Sequence, residues 1–324
     1  MQLLAQIILL ILFFSGIPTA VADSPSSNKT GLLIMAHGGD IEWNDAVRKA
    51  VHPLQFFCPV EIAFGMAQRN SLQQAIYNLE SRGVDQVAVV RLFVAAESFR
   101  HQTEYLLGLR SDPPNMFIAH SSHSGVPMTH PDSIHVLSSK MAPDQVQSKS
   151  IITINQDGLY DSEMIGEIIA TRVQNLSLHP EKESVLILAH GEGDDTINQK
   201  WLLKLNLLAD SVRQLGPFRA VQVATLREDW HHKRSRAEKK IRQFVKKGNE
   251  NKGQVIVIPF RLFGFGPYRS VLKNLKYLSD GKALLPHPAV TKWIKEQAVT
   301  CLQNMGASNP FQTGKLSNET DLNN

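Results

Sequence analysis

The sequence predicts an α/β protein of two similar lobes, each a parallel sheet flanked by helices, related by internal duplication. Three observations predict it. A length of 324 residues is enough for two cores of roughly 150 residues each. A short apolar run ending in Ala-His-Gly occurs twice: Gly31-Leu-Leu-Ile-Met-Ala-His37-Gly38 and Ser184-Val-Leu-Ile-Leu-Ala-His190-Gly191 superimpose without a gap. Each copy is then followed by the same alternation of apolar runs and helical periodicity, the pattern of a parallel sheet covered on both faces. The runs have the length of strands buried on both sides, and the glycine suits a tight turn at the strand's end.

Taken in order, residues 1–22 carry no charged side chain and end in Ala20-Val21-Ala22. They read as a signal peptide cleaved after Ala22, giving a periplasmic or secreted protein. The alternative is an uncleaved membrane anchor, because the run approaches the ~20 residues that span a bilayer. The first lobe, 30–178, continues with a strand at Val60–Phe64, a helix at Ser71–Ser81, a strand at Gln86–Val94 and a further helix. An insertion at 111–148, rich in Pro, Ser and His, follows, and then a closing helix at Asp161–Arg172. Pro180 and its charged neighbours mark the boundary. The second lobe, 183–304, repeats the order with strands at Ala220–Ala224 and Gln254–Leu262, a helix near Lys233–Lys247 and a closing helix at His287–Gln297. The polar tail, 308–324, is expected to be disordered.

With 43% apolar and 20% charged residues, the chain is globular in composition. The net charge of +4 gathers in Arg227–Lys252, where ten Lys or Arg meet four acids. That stretch reads either as the solvated face of a helix or as a patch for an anionic ligand. No nucleic-acid partner is expected, nor a membrane partner once the leader is cleaved. Two cysteines, Cys58 and Cys301, are too few for a disulfide framework and read as a single bridge or as two buried thiols. There is no G-x-x-x-x-G-K-[ST] and no G-x-S-x-G, which excludes P-loop ATP chemistry and the usual α/β-hydrolase nucleophile.

In a parallel sheet, ligands bind at the carboxyl ends of the strands, where His37 and His190 both fall. Acids follow each: Asp40 and Glu42, then Glu192, Asp194 and Asp195. These can orient an imidazole or bind metal, and Asp40 and Asp195 read equally well as helix N-caps. After the third strand, Glu97 and His101 are spaced i, i+4, so on a helix they share a face and can present a carboxylate and an imidazole to one ion or proton. The second copy has Arg261, Gly264, Gly266 and Tyr268 there, with no His or acid. His120, His123, His130 and His135 lie in the insertion, as divalent-metal donors or in a surface loop.

Ala-His-Gly after the first strand, Pro-Phe-x-Leu-type runs on the third (Pro259–Leu262 and Arg91–Val94) and Pro286-His-Pro288 before the last helix resemble the sirohydrochlorin cobaltochelatase family. That family includes the CbiX-, SirB- and CbiK-like proteins, and the resemblance covers roughly residues 31–110 and 150–304. It implies chelatase-like lobes facing a cleft and a lyase that inserts cobalt, nickel or ferrous iron (Co2+, Ni2+ or Fe2+) into a tetrapyrrole without ATP. The family's first metal-binding His corresponds to His37 and His190. Its second His, in a Gly-x-His motif, falls on Phe99 and Pro267, leaving Glu97 and His101 as substitutes. The resemblance thus implies His37, His101 and His190 as metal ligands, Glu97 as a partner in catalysis, and Arg261 and Tyr268 with His190 as tetrapyrrole contacts. A non-catalytic periplasmic metal- or tetrapyrrole-binding protein on the same fold is the alternative.

Overall fold

A computed structural model describes residues 29–120 and 134–312. The leader, His123, His130 and the tail from 313 lie outside the described residues.

The first sheet is built on β1 (Thr30–Ala36), which is followed by α1 (Ile41–Val51), β2 (Val60–Phe64), α2 (Arg69–Ser81), β3 (Gln86–Leu92) and α3 (Arg100–Leu106). β4 (Met116–His120) and β5 (Ile134–Ser138) form an antiparallel hairpin, which places His120 and His135 on neighbouring strands. β6 (Ile151–Ile154) then returns to the sheet, and α4 (Glu163–Leu176) ends this half. The second half runs β7 (Glu183–Ala189), α5 (Asp195–Arg213), β8 (Ala220–Thr225), α6 (His231–Gly248), β9 (Gln254–Phe260), α7 (Tyr268–Val271) and α8 (Pro288–Asn304).

Both sheets are parallel, in the orders β2-β1-β3-β6 and β8-β7-β9. Their central pairs share a register: Thr30 faces Gln86 through to Ala36 facing Leu92, and Glu183 faces Gln254 through to Ala189 facing Phe260. Each histidine is therefore the first residue beyond an equivalent pair, and the two lobes present it at the same point of the fold.

The strands alternate between two apolar environments. Leu32, Ile34, Val185 and Ile187 point into one continuous core between the sheets. Leu33 and Met35 pack outward under α2 and α3, and Leu186 and Leu188 pack outward under α6 and α7. The central layer is filled by helices exchanged between the halves. α4 packs on α5 and β9, although it follows the first sheet in sequence, while α8 packs on β3 and β6. Thr153 Oγ1 on β6 donates to the carbonyl of Cys301 on α8 at 3.0 Å. The cause is composition: α4 buries Ile165, Ile168, Ile169, Ala170 and Val173, an apolar stripe too wide for one neighbour, so the helix must sit between layers.

Some local expectations change. The third strands end at Leu92 and Phe260, two residues early. Glu97 lies in a turn rather than on a helix, because α3 begins only at Arg100. The start of the expected tail is ordered: Phe311 is buried and packs against Phe57 at 5.4 Å. Cys58 and Cys301 are free thiols, each pushed up to about 11 by burial. No described helix is long and apolar enough to cross a membrane.

Candidate active site in the cleft between the lobes

His37 and His190 are held by the same device. In each, Nδ1 lies 2.7 Å from the carbonyl oxygen of the following glycine, Gly38 or Gly191. A carbonyl only accepts, so Nδ1 carries a proton in both rings and Nε2 is the nitrogen turned away from this bond. Gly191 turns with φ of +80°, and a Cβ there would stand 2.6 Å from Thr225 Cβ, so this turn requires glycine.

The surroundings differ. His37 stacks on Trp43 at 5.3 Å. Asp40 fixes that ring's position by capping α1, its carboxylate accepting from Trp43 N at 2.8 Å, so the capping reading of Asp40 holds. Trp43 in turn reaches the second lobe, with Phe263 at 6.1 Å and the Arg261 guanidinium over its ring at 5.9 Å. His190 instead places Nε2 3.2 Å from the Asp229 carboxylate, with Trp201 and Trp230 at 6.4 and 6.1 Å. Loss of solvent would favour a neutral His190, but the hydrogen bond to Asp229, the charges of Glu228 and Asp229 and the Gly191 carbonyl outweigh it and lift the pKa to about 9. His190 is thus a cation at neutral pH, donating from both nitrogens. Asp229 is held below the usual carboxylate range, first by His190 and, against partial burial, by the charges of Arg234 and His37. One carboxylate therefore feels the charge of both imidazoles.

That turn is clamped. Asp195 pairs with Arg227 at 2.7 Å and Lys233 at 2.8 Å, and their hydrogen bonds pull its carboxyl down to about 2. Capping of α5 falls to Asp194, which accepts from Ile197 N at 2.9 Å, so Asp195 is a clamp and not a cap.

The loop after β3 forms the other wall. Glu97, Ser98, Phe99 and His101 line a cavity of about 400 Å³ with Met116 and, from the second lobe, Trp201. The Glu97 carboxylate accepts a short hydrogen bond from the Tyr160 hydroxyl and lies 3.8 Å from Lys200 Nζ. Burial would raise its pKa, but Tyr160, its own backbone N–H, Lys200 and Arg100 together lower it. Tyr160 is delivered by the turn at Gly158, where a Cβ would stand 2.4 Å from Ala96 N. Beneath the loop, buried Arg91 donates to the carbonyls of Ala96 at 2.9 Å and Ser98 at 3.0 Å, one on each side of Glu97. Glu97 is therefore a rigid, ionised group.

The expected ligand set is not assembled. Phe99 takes a left-handed conformation with φ of 54°, which separates Glu97 from α3 and cancels the i, i+4 relation to His101. His101 is exposed on α3, and among the described residues no three His, Cys, Asp or Glu come together to hold an ion, so His37, His101 and His190 do not form one site. Tyr268 is fully buried in the outer core of the second lobe and cannot touch a ligand. It supports Arg261, whose guanidinium lies over its ring at 5.6 Å and 3.4 Å from Glu228. His287 caps α8, with Nδ1 accepting from Ala289 N at 3.1 Å.

Sequence reasoning missed Asp229, Tyr160, Arg91 and the tryptophans. The chain has four Trp, of which Trp43, Trp201 and Trp230 stand beside the two histidines. Large aromatics just past the Ala-His-Gly turns were a usable signal.

Comparison with known proteins defines the class. SirB from Bacillus subtilis with Fe3+ superimposes with a TM-score of 0.56 at 14% identity, covering 86% of this chain and 98% of that one. The sirohydrochlorin chelatase SirB from Bacillus subtilis subspecies spizizenii in complex with cobalt gives 0.52 at 13%, covering 85% and 96%. The fold is that of the two-lobed chelatases. The CbiX family model matches residues 31–104. A sirohydrochlorin cobaltochelatase of Saccharolobus solfataricus is 34% identical over 85 residues, 25% of this chain and 66% of that protein. One of Saccharolobus islandicus (strain L.S.2.15) is 27% identical over 146 residues, 44% of this chain and 92% of that protein. Residues 31–104 are thus similar to the CbiX family, and the chain as a whole has the SirB fold.

Proposed function

We propose that the chain inserts a divalent metal, cobalt, nickel or ferrous iron, into a sirohydrochlorin-like tetrapyrrole held between the lobes, without ATP. The observation that carries this reading is the pair of imidazoles with identical Nδ1 locks, one in each lobe, with Asp229 3.2 Å from His190 Nε2. Insertion exchanges two pyrrole N–H protons for one M²⁺, so the site needs a ligand that holds the ion and lets it go, and a base. In this reading His37 holds the ion through Nε2. Its Nδ1 bond to Gly38 fixes ring orientation in the manner that tunes a metal-bound imidazole. Asp229 is the weak base that takes protons the approaching ion has acidified and passes them to solvent. The His190 cation and Arg261 face the substrate's carboxylates, and the rings of Trp43 and Trp230 flank the macrocycle. Residues 1–22 direct this chemistry to the periplasm or cell exterior.

Purified protein incubated with sirohydrochlorin and Co²⁺ should change the tetrapyrrole absorption spectrum faster than metal alone. A His37→Ala protein that performs equally well removes the enzymatic claim. The second reading, a non-catalytic periplasmic binder of metal or tetrapyrrole, is favoured by Phe99 and Pro267 standing where the second histidine of the Gly-x-His motif would fall. Calorimetry with Co²⁺, Ni²⁺ and haem separates the two, because tight binding without insertion is the binder's signature.

A further inference from the structure

From the sequence, the body of the protein has no expected membrane partner and its basic stretch has no assigned role. The fold sets much of this charge on the outer side of α6 and the loop beside it. Residues 231–276 hold 13 of the 34 Lys and Arg but only 2 of the 30 Asp and Glu, so that segment is net +11 while the rest of the chain is net −7. α6 is fixed by its inner face, where Ile241 and Val245 are buried in the outer core. Its outer face is set by the same periodicity: Arg236, Lys239, Lys240, Lys246 and Lys247 are all exposed, and the one acid of the helix, Glu238, is half-buried and paired with Arg234 at 2.9 Å. The neighbouring loop widens the face. Arg242 donates to the carbonyl of Lys273 at 3.1 Å and Asn249 to that of Lys276 at 2.9 Å, holding both exposed lysines beside the helix.

We infer that this face adsorbs the protein to an anionic lipid surface. Like charges crowded on a rigid face repel one another unless something of opposite sign covers them, and several clustered Lys and Arg suffice to draw a protein to acidic headgroups. The face exposes no Phe, Tyr or Trp on which bases could stack, which disfavours single-stranded nucleic acid. It also exposes no large apolar side chain, so the contact is electrostatic and does not penetrate. On the uncleaved-anchor reading of residues 1–22, their uncharged apolar run is a second membrane element beside the polybasic face.

The test is co-sedimentation of the full chain with phosphatidylcholine vesicles, with and without phosphatidylglycerol. Because residues 1–22 can engage either kind, the readout is the difference between them. At about 0.05 M NaCl partition onto the anionic vesicles should be at least about ten-fold stronger, and it should fall to the neutral level at about 0.5 M, where the screening length shrinks to a few ångströms. The variant R236Q/K239Q/K240Q/K246Q/K247Q, folded by circular dichroism, should lose the difference. Equal partition onto both kinds of vesicle overturns the inference, as does a variant that keeps the preference, or tighter binding to duplex DNA than to anionic vesicles at the same salt. None of these outcomes bears on metal insertion, which is assayed without lipid.

Discussion

His37 and His190 leave equivalent strands at the same register, and each donates from Nδ1 to the next glycine's carbonyl at 2.7 Å. Beyond that shared backbone they diverge. His37 rests on the face of Trp43, which an N-cap holds in place, whereas His190 is drawn into an ion pair with Asp229. The loops after the third strands diverge in the same sense. The first is pinned through Arg91, Gly158 and Tyr160 around an ionised Glu97. The second carries Gly264 and Gly266 at positive φ and no titratable group except Arg261. One scaffold position thus yields a ring stacked on Trp43 in one lobe and a ring paired with Asp229 in the other. The lesson is that the turn decides where the ring stands, and the residue facing Nε2 decides what the ring does.

The comparison is broken most directly by removing each ring. His37→Ala should reduce metal insertion by about 10²–10⁴-fold, the usual scale for losing a group that acts on the reacting atoms. His190→Ala should act mainly on the tetrapyrrole concentration needed for half-maximal rate. Stopped-flow absorption across a concentration series reads both, and equal losses of maximal rate in the two variants would make the lobes equivalent. A smaller effect sharpens the contrast between the loops. Gly158→Ala forces a methyl group to within 2.4 Å of backbone at Ala96 and should cost about 1–3 kcal/mol in urea unfolding, as overpacking does. Gly264→Ala has open space around its Cβ, so its cost should be only that of the left-handed backbone, about 1 kcal/mol.

Legibility followed the physics of each element. β1 and β7 were plain because strands buried on both faces are uninterrupted apolar runs, and their shared ending exposed the matching registers. α1 and α5 were not, because α1 is short and exposes Ile41 at its start while α5 leaves Leu203 and Leu207 exposed on its outer side, which blurs the apolar stripe. β6 has only four residues behind an aperiodic insertion. The exchange of α4 and α8 could not be read at all, since periodicity tells which face of a helix is apolar and not which sheet it will meet. At the site, His37 and His190 were found through repetition. Asp229 was hidden inside a run read for its basic charge, and the Glu97–His101 pairing failed because nothing local announces that Phe99 turns left-handed.

Asp229→Asn addresses the electrostatic half of the comparison alone, leaving ring, turn and size unchanged. His190 has a pKa near 9 in the folded chain against an ordinary 6.5. A pKa raised by folding adds stability that is complete below about 6.5 and fades as pH rises through about 9. Folding stability measured by urea should therefore fall over this interval in the parent protein and fall less in the variant. Glu228 remains in place and keeps part of the shift, so the His190 resonance of Asp229→Asn should titrate about one unit lower or more rather than returning to 6.5. If the parent's His190 instead titrates below about 7 by NMR, the ion pair is not formed in solution. The ligand role would then be open to both, and the division of labour between the lobes would rest on Trp43 and the pinned loop alone.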